Sequence, residues 1–491
     1  MSDPADERDA SDHLAERRLK LERLRGEGIE PFPHDYPGRT PIAEVRAAHA
    51  DLEAGTETES GYRVAGRIHA RRGHGKAAFI DLRDGSGQIQ VHSRADVIGE
   101  AEHEGLIGLD LGDIVGIEGT VFASRRGELS LRVDGWTLLA KSLRPPPEKF
   151  HGLEDVETRY RHRELDLIAN EDTRELFAVR GQTVTAIRSW LEQRGFVEVE
   201  TPVLQPLYGG ALARPFTTHH NALDRDLYLR IATELYLKRC VVGGIDRVYE
   251  LGKDFRNEGI SHKHNPEFTM LEWYEAYADY NDGAERLEQL VSGVAGEVLG
   301  RTTVERDGET IELAPPWRRI SLREAIRDET GIDIAEHPTR EALAAAIGTE
   351  PDPAEGWGKL VDGLLSKRVE PKLIQPTFIV DYPVELSPFA KRHRSEEGLV
   401  ERWEAFIGGV EIANAFSELN DPDEQRRRFE QQRDEAERGD EEAQPYDEDF
   451  LRALEQGMPP TSGVGLGIDR LVMMLTGAHS LREVVLFPAM R

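Results

Sequence analysis

The sequence predicts an α+β protein of several segments, in which a small five-stranded β-barrel precedes a larger domain of mixed helices and strands. Three observations carry that reading: a change to a two-residue hydrophobic period after Gly61, a proline-rich break at 143–147 (LRPPP), and helix-then-strand patterns beyond it. At 491 residues the chain exceeds what one hydrophobic core usually organises.

Residues 1–55 form the first expected segment, a polar helical extension. Leu14, Leu19, Leu21 and Leu24 lie among Arg and Glu, a stripe too thin to make its own core, so the extension must pack on something else. Gly26, Gly28 and the Pro31-Phe32-Pro33 turn end it. Residues 56–143 follow as the barrel. Strands are expected at 63–68, 78–82, 88–91, 113–121 and 128–133, with a turn at Asp84-Gly85-Ser86-Gly87. Between 63 and 94, Arg63, Arg67, Arg71, Arg72, Lys76, Arg83 and Arg94 outweigh Asp81 and Asp84. Basic side chains interleaved with Phe79 and His92 on such a barrel suit an oligonucleotide-binding (OB) fold, where a base stacks on an aromatic ring and phosphates meet Arg or Lys.

Residues 144–491 make the last segment. Asp172 and Glu175 have capping-box spacing ahead of an amphipathic helix through Leu176, Val184, Ile187 and Leu191, closed by Gly195. Residues 196–200 then alternate as a strand up to Pro202. Residues 284–373 mix helical patterns with acidic loops, and 424–442, rich in Arg, Gln and Glu, reads as a solvated helix.

Charge restricts the partners. Lys+Arg 62 against Asp+Glu 92 gives a formal net charge of −30 and a pI near 5.0. No uniformly basic surface can exist, so any contact with nucleic acid must be local. The lone Cys240 excludes an internal disulfide, and no Cys/His set has zinc-finger spacing. The first residues lack the charged-then-apolar pattern of a signal peptide, and no apolar run reaches the roughly 18–20 residues that cross a bilayer. The expectation is a cytoplasmic protein with no membrane partner.

Three separated segments ask for more than a structural account. The first, a helix-to-strand corner from Arg194-Gly195-Phe196 to Thr201-Pro202, is structural by itself. The second reads as a hairpin: a strand ending in Arg256, a polar loop with Asn257, Glu258, His262, His264 and Asn265, and a strand opening with Phe268. An arginine there can clamp both a carboxylate and a phosphate through the paired donors of its planar fork. His262 and His264 lack further ligands at metal-binding spacing. The third, Gly463-Val464-Gly465-Leu466-Gly467-Ile468-Asp469-Arg470, has the wrong spacing for a dinucleotide fingerprint, and too little chain follows for a mononucleotide-binding unit. Its small residues suit close packing of a strand on a helix whose first turn brings Arg470 beside a ligand.

Together these segments resemble, in order, the signature motifs of class II aminoacyl-tRNA synthetases, most closely the lysyl members of the lysine, aspartate and asparagine subgroup. The similarity extends through Lys149-Phe150-His151-Gly152-Leu153, Arg159-Tyr160-Arg161, Ala213-Arg214-Pro215-Phe216, Tyr228-Leu229-Arg230-Ile231-Ala232, Glu234-Leu235-Tyr236-Leu237-Lys238, residues 255–272, Ser387-Pro388-Phe389-Ala390-Lys391 and Phe416-Ser417-Glu418-Leu419-Asn420-Asp421. It covers most of the chain from about Arg17. The resemblance implies an anticodon-binding barrel, a catalytic domain on an antiparallel sheet flanked by helices, and a homodimer formed through the first motif. It also implies the reaction: L-lysine and ATP give lysyl-adenylate and pyrophosphate, and the lysyl group then passes to the terminal adenosine of tRNA(Lys), with Mg2+ as cofactor.

Carried over position by position, the resemblance makes Arg256 the bridge between amino-acid carboxylate and α-phosphate, with Arg470 over the adenine and near the γ-phosphate. Glu258, His264, Asn265, Phe268 and Gly467 complete the ATP site, and Glu404 and Glu411 hold Mg2+. Gly210, Glu234, Glu272, Tyr274, Asn414, Phe416 and Glu418 form the amino-acid pocket. Glu272 and Glu418, helped by Tyr274, are candidates for the ε-ammonium and Glu234 with the Gly210 carbonyl for the α-ammonium, the partition of the acids staying open. In the barrel, Arg72, Phe79, Gln90 and Glu128 fall where the family reads the anticodon. Two positions depart from the pattern: Thr233 stands where relatives carry Pro, and Glu164 where an aromatic is common.

Competing readings are set apart by residue chemistry. Against an aspartyl or asparaginyl relative stands the acidic pocket: an aspartate-specific site needs cations there, whereas this one gathers acids. A silent paralogue is expected to have lost Arg256, Glu404, Glu411 or Arg470, and a protein-modifying ligase to have lost the barrel; all are present.

Overall fold

The computed structural model describes residues 4–73, 75–147, 153–211, 213–350, 356–387, 389–437 and 445–490. The family-like residues 149–152 and Pro388, and 438–442 of the charged segment, lie outside the described residues. Contacts divide the chain into two units, Met1–Glu154 and Asp155–Arg491.

The first unit is built on a closed barrel of β1 (Glu57–Arg72), β2 (Ala77–Arg83), β3 (Gln88–Arg94), β4 (Ile114–Ala123) and β5 (Leu129–Ala140), ordered β1-β2-β3-β5-β4. Closure satisfies strand edges, and the expected alternation fills the interior: Val64, Ile68, Ile80, Leu82, Ile89, Val91, Ile117 and Val133 are buried together. The turn before β3 forms because Asp84 Oδ1 accepts from the backbone N–H of Ser86 (2.7 Å) and Gly87 (3.0 Å). The extension contains the helix Pro4–Gly26, and Arg17 Nη1 reaches the carbonyls of Leu111 and Ser142, both at 3.1 Å. Leu21 and Leu24 are buried while Leu19 is exposed, so the thin stripe is enough to dock on the barrel.

The second unit centres on an eight-stranded sheet whose order is 318–321, 377–383, 399–407, 410–417, 461–467, 267–276, 247–255, 197–198. Its six central strands are antiparallel; the outer pairs 318–321/377–383 and 197–198/247–255 are parallel, so the sheet is mixed. One face buries Leu271, Trp273, Ala413, Ala415, Val464 and Leu466 in a core shared with the helices Glu171–Glu192 and Tyr280–Leu299. The opposite face carries the site.

Three local expectations change. The helix Glu171–Glu192 starts at Asn170 rather than at an Asp172 capping box, and the Asn170 amide donates to Asp166 Oδ1 (2.6 Å). The strand at 196–200 shrinks to Val197–Glu198, because Val199 onward turns away after its N–H reaches the Tyr249 carbonyl and Thr201 binds Glu250. The helix Pro422–Glu437 is not simply solvated. Glu424 and Arg428 pair at 3.1 Å and are buried, and Phe429 packs against Phe389 and Phe450.

Candidate functional site

Strand register builds the site. Alternation puts Met270, Glu272 and Tyr274 on one face of their strand, and opposite them stand Gly467, Gly465 and Gly463. Asn414 and Phe416 flank the same glycines from the other side, and Glu404 and Arg402 pair with them in turn. The glycine strand therefore forms a floor without side chains between two strands that carry them, and a cavity of about 350 Å³ opens over it. That is the local reason for the Gly-x-Gly-x-Gly run. Glu411 joins the same cavity next to a register irregularity between Ala405 and Phe406.

Every residue expected for ATP or amino acid lines this cavity except Glu418. At one end, Arg256 follows directly on the strand Arg247–Phe255, its backbone N–H tied to the Pro266 carbonyl (2.9 Å) and its guanidinium 5.1 Å from the Phe268 ring centroid. Arg470 sits in the first turn of the helix Ile468–Thr476 and donates to the Glu411 carbonyl (2.8 Å) and to Glu411 Oε2 (2.9 Å). Asn265 is buried, its amide on the Glu267 carbonyl (2.6 Å) and its Oδ1 without a hydrogen-bond partner among the described residues. His264 bonds Ser261 Oγ at 2.9 Å; burial, then Arg470 and Lys263, push its imidazole below the usual range. Glu258 is exposed at the rim, and Gly467 caps the Arg470 helix.

The other end is acidic. Glu272 is buried, accepting the Thr233 N–H (3.3 Å) and the Tyr274 hydroxyl (3.2 Å), and burial with the charges of Asp254 and Glu234 pushes it up to about 8. Glu234 opens the helix Glu234–Val242 and bonds Lys238 Nζ at 2.6 Å, one turn on. Glu418 lies behind Tyr274 and Gly463, is 1% exposed, and pairs with the same ammonium. Burial pushes Glu418 up to about 8 against the pull of Lys238. Gly210 has φ +90° with Glu234 Cβ and Ala232 Cβ within 3.0 and 3.1 Å of any Cβ it might carry, so only glycine fits.

Two residues that sequence reasoning left without a role organise the walls. Lys238 is fully buried between two acids; its signal was the four-residue spacing from Glu234. Arg402 donates to Glu404 Oε1 (2.6 Å), Asn414 Oδ1 (3.1 Å) and the Leu386 carbonyl (2.7 Å), and lies 4.5 Å from the Tyr382 ring centroid. Its signal was the two-residue spacing that places it on the Glu404 face.

Among the described residues no cluster of three or more His, Cys, Asp or Glu is arranged to hold a metal alone. Glu404 and Glu411 do share the cavity, and burial together with the Glu411 charge carries Glu404 up to about 7 despite Arg402. Two hard carboxylates suit Mg2+, which uses one or two of them and completes its shell with phosphate oxygens and water.

On the barrel, Phe79 stacks on His92 at 4.3 Å with the rings 8° apart. Arg72 pairs across the ladder from Phe79 and its Nη2 donates to both carboxylate oxygens of Asp81 (2.9 and 3.1 Å), Gln90 Oε1 accepts from Ser130 Oγ (3.2 Å), and exposed Glu128 lies 3.8 Å from Arg46. Arg72, Phe79 and Gln90 thus share one outer face, and Glu128 lies just ahead of Ser130 at its margin.

Comparison with known proteins gives a consistent picture. Residues 155–491 match the family model of class II tRNA synthetases (D, K and N), and residues 62–139 that of the OB-fold nucleic acid binding domain. The chain is 54% identical over 483 residues to the lysine–tRNA ligase of Dehalococcoides mccartyi, covering 97% of each chain. It is 52% identical to that of Pelotomaculum thermopropionicum, covering 99% of this chain and 96% of the relative, and 53% identical to that of Moorella thermoacetica, covering 98% of each.

Because a methyl group at Gly463 would collide with Glu418 Oε1 and the Tyr274 ring, Gly463→Ala should cost about 1–3 kcal/mol through overpacking. Thermal unfolding checks this: the midpoint should drop by several degrees, and an unchanged midpoint contradicts the tight floor.

Proposed function

The chain belongs to the class II tRNA synthetases of the D, K and N group, and from that premise we propose that it is a lysine–tRNA ligase working in the cytoplasm with ATP and tRNA(Lys). The observation that carries the choice of amino acid is the buried acidic end of the cavity. Among the described residues no cation pairs with Glu272, so a bound ammonium supplies the partner that burial denies it.

In the first step an oxygen of the lysine carboxylate attacks the α-phosphorus of ATP, forming the mixed anhydride and releasing pyrophosphate. Arg256, between the acidic end and Phe268, spans carboxylate and α-phosphate and offsets the charge that builds as the two anions meet. Phe268 stacks on the adenine, Arg470 covers its other side, and Asn265, His264, Glu258 and Gly467 fix the rest of the nucleotide. Glu404 and Glu411 hold Mg2+, which when bound screens the phosphates and steadies the leaving pyrophosphate. Glu272 and Tyr274, with Glu418 behind, receive the ε-ammonium; Glu234 and the Gly210 carbonyl receive the α-ammonium; Asn414 and Phe416 complete the wall. In the second step a hydroxyl of the terminal adenosine attacks the acyl carbon and AMP leaves. The barrel face of Arg72, Phe79, Gln90 and Glu128 reads the anticodon by stacking and hydrogen bonding. Two copies pair through the first motif, where Val197, Val203 and Leu204 are 40–50% exposed on adjoining short strands and turns.

The test is ATP–pyrophosphate exchange with each standard amino acid: lysine should support it, and exchange driven by aspartate or asparagine instead contradicts the reading. Arg256→Ala should lower lysine-dependent exchange by at least about 10²-fold while circular dichroism stays native, since it removes charge stabilisation at the reacting centre. Near-normal exchange would exclude the bridging role.

The raised acid predicts a pH dependence. A carboxyl with its titration point near 8 holds a proton below that pH and must give it up to receive an ammonium. The KM for lysine should therefore fall as pH rises from 6.5 towards 8, by up to roughly tenfold per unit for one proton. A flat KM over that window contradicts the acid's place in the pocket. Phe79→Ala should leave exchange intact while lowering aminoacylation of tRNA(Lys); stacking of this kind is worth about 1–3 kcal/mol per base. Equal loss in both assays would remove Phe79 from the tRNA contact.

A further inference from the structure

Lys238 is a buried ionisable side chain at the acidic end that the proposed reaction does not use. Its side chain is 0% exposed, with Nζ 2.6 Å from Glu234 Oε1 and in ion-pair contact with Glu418 Oε2. The Phe389 ring centroid lies 5.3 Å away on a further side. Burial disfavours its charge, yet Glu234 and Glu418 carry its proton affinity above the usual lysine range, so it remains an ammonium. The two acids reach it from distant parts of the chain, one on the helix Glu234–Val242 and one just beyond the strand Val410–Ser417. Glu418 Oε1, on the side of Gly463, has no hydrogen-bond partner among the described residues.

We infer that Lys238 is a positioning residue that sets lysine specificity: its ammonium bridges Glu234 and Glu418 and meets part of the pocket's negative charge, so that an amino acid bringing two ammonium groups is the one that answers the acids left over. This rests on the lysine reading above. Three carboxylates, Glu234, Glu272 and Glu418, surround the acidic end. One of their charges is met by Lys238, and the two ammonium groups of lysine meet the others. The substrate carboxylate is answered by Arg256. Of the nearby charges, Arg402 pairs with Glu404 at 2.6 Å, and Arg230 is shared between Glu250 and Asp254, the latter at 3.2 Å. Without Lys238 the occupied pocket keeps one uncompensated buried negative charge, which a low-dielectric site does not tolerate. An amino acid with a neutral side chain leaves the same deficit in the intact protein. Lys238 touches no reacting atom, and its effect is confined to the amino-acid end.

The test compares KM for lysine, KM for ATP and kcat in pyrophosphate exchange for the unaltered protein, Lys238→Arg, Lys238→Met, Glu418→Gln and the Lys238→Met/Glu418→Gln double variant. Lys238→Met should raise the lysine KM by about a hundredfold, as expected for truncating one partner of a buried charge pair, with the ATP KM within about threefold. Lys238→Arg, which keeps the charge, should recover at least about tenfold of that loss. On the Glu418→Gln background the deficit no longer arises, so adding Lys238→Met should change the lysine KM by less than about tenfold. Overturning results are a lysine KM within threefold of normal in Lys238→Met, parallel rises for lysine and ATP, or a full further hundredfold loss in the double variant. If Lys238→Met alone does not fold, the double variant against Glu418→Gln decides, with the same thresholds. Absence of lysine-dependent exchange in the unaltered protein would instead defeat the ligase reading and is read separately from these ratios.

Discussion

A carboxylate cut off from water needs either a proton or a cation, and the rest of this structure is arranged around that need. Glu272 and Glu418 are both buried, and both are carried towards a proton affinity near 8. Such groups cost stability when the cavity is empty and return it when a cation arrives, which is how a binding site comes to prefer charge over shape. Selectivity built this way is steep, because an analogue without the ammonium leaves the buried acid unanswered.

The sheet makes the arrangement possible. Antiparallel pairing delivers Glu272 and Tyr274 from one strand and Asn414, Phe416, Arg402 and Glu404 from two others to one face. Side chains on three neighbouring strands would fill that space, and the interposed glycines at 463, 465 and 467 leave it open. The opposite face of the same strands anchors them in the main core through Trp273, Ala415 and Val464. Rigidity below and vacancy above come from one alternating pattern. At the other end the hairpin and the helix Ile468–Thr476 place Arg256 and Arg470 on the cavity, and Asp469 locks that helix to the strand Glu267–Ala276 by accepting the Thr269 N–H at 2.8 Å.

The barrel was legible because alternation is local: each of its five strands announces itself within a few residues, and Asp84 builds its turn from neighbours. Arg256 and Arg470 stood out because polar clusters at the end of a strand and after small residues serve no packing purpose. Glu404 and Glu411 were visible only through the family resemblance, since Glu is common in this acidic chain. Lys238 and Arg402 were missed for a different reason. Spacing shows only the near partner of each, Glu234 or Glu404; the second partner, Glu418 or Asn414, lies far along the chain or on another strand. The buried face of Pro422–Glu437 escaped likewise, because Glu424 and Arg428 enter the interior as a pair and Phe429 is the helix's one large apolar residue.

The central claim is that buried negative charge, more than the shape of the alkyl channel, chooses the substrate. Calorimetric titration with lysine and with norleucine, which keeps the chain and lacks the ε-ammonium, measures this directly. Lysine should bind at least about 10⁴-fold more tightly, the order expected when a site built for a polar group meets an analogue without it. Norleucine binding within tenfold of lysine would contradict the account.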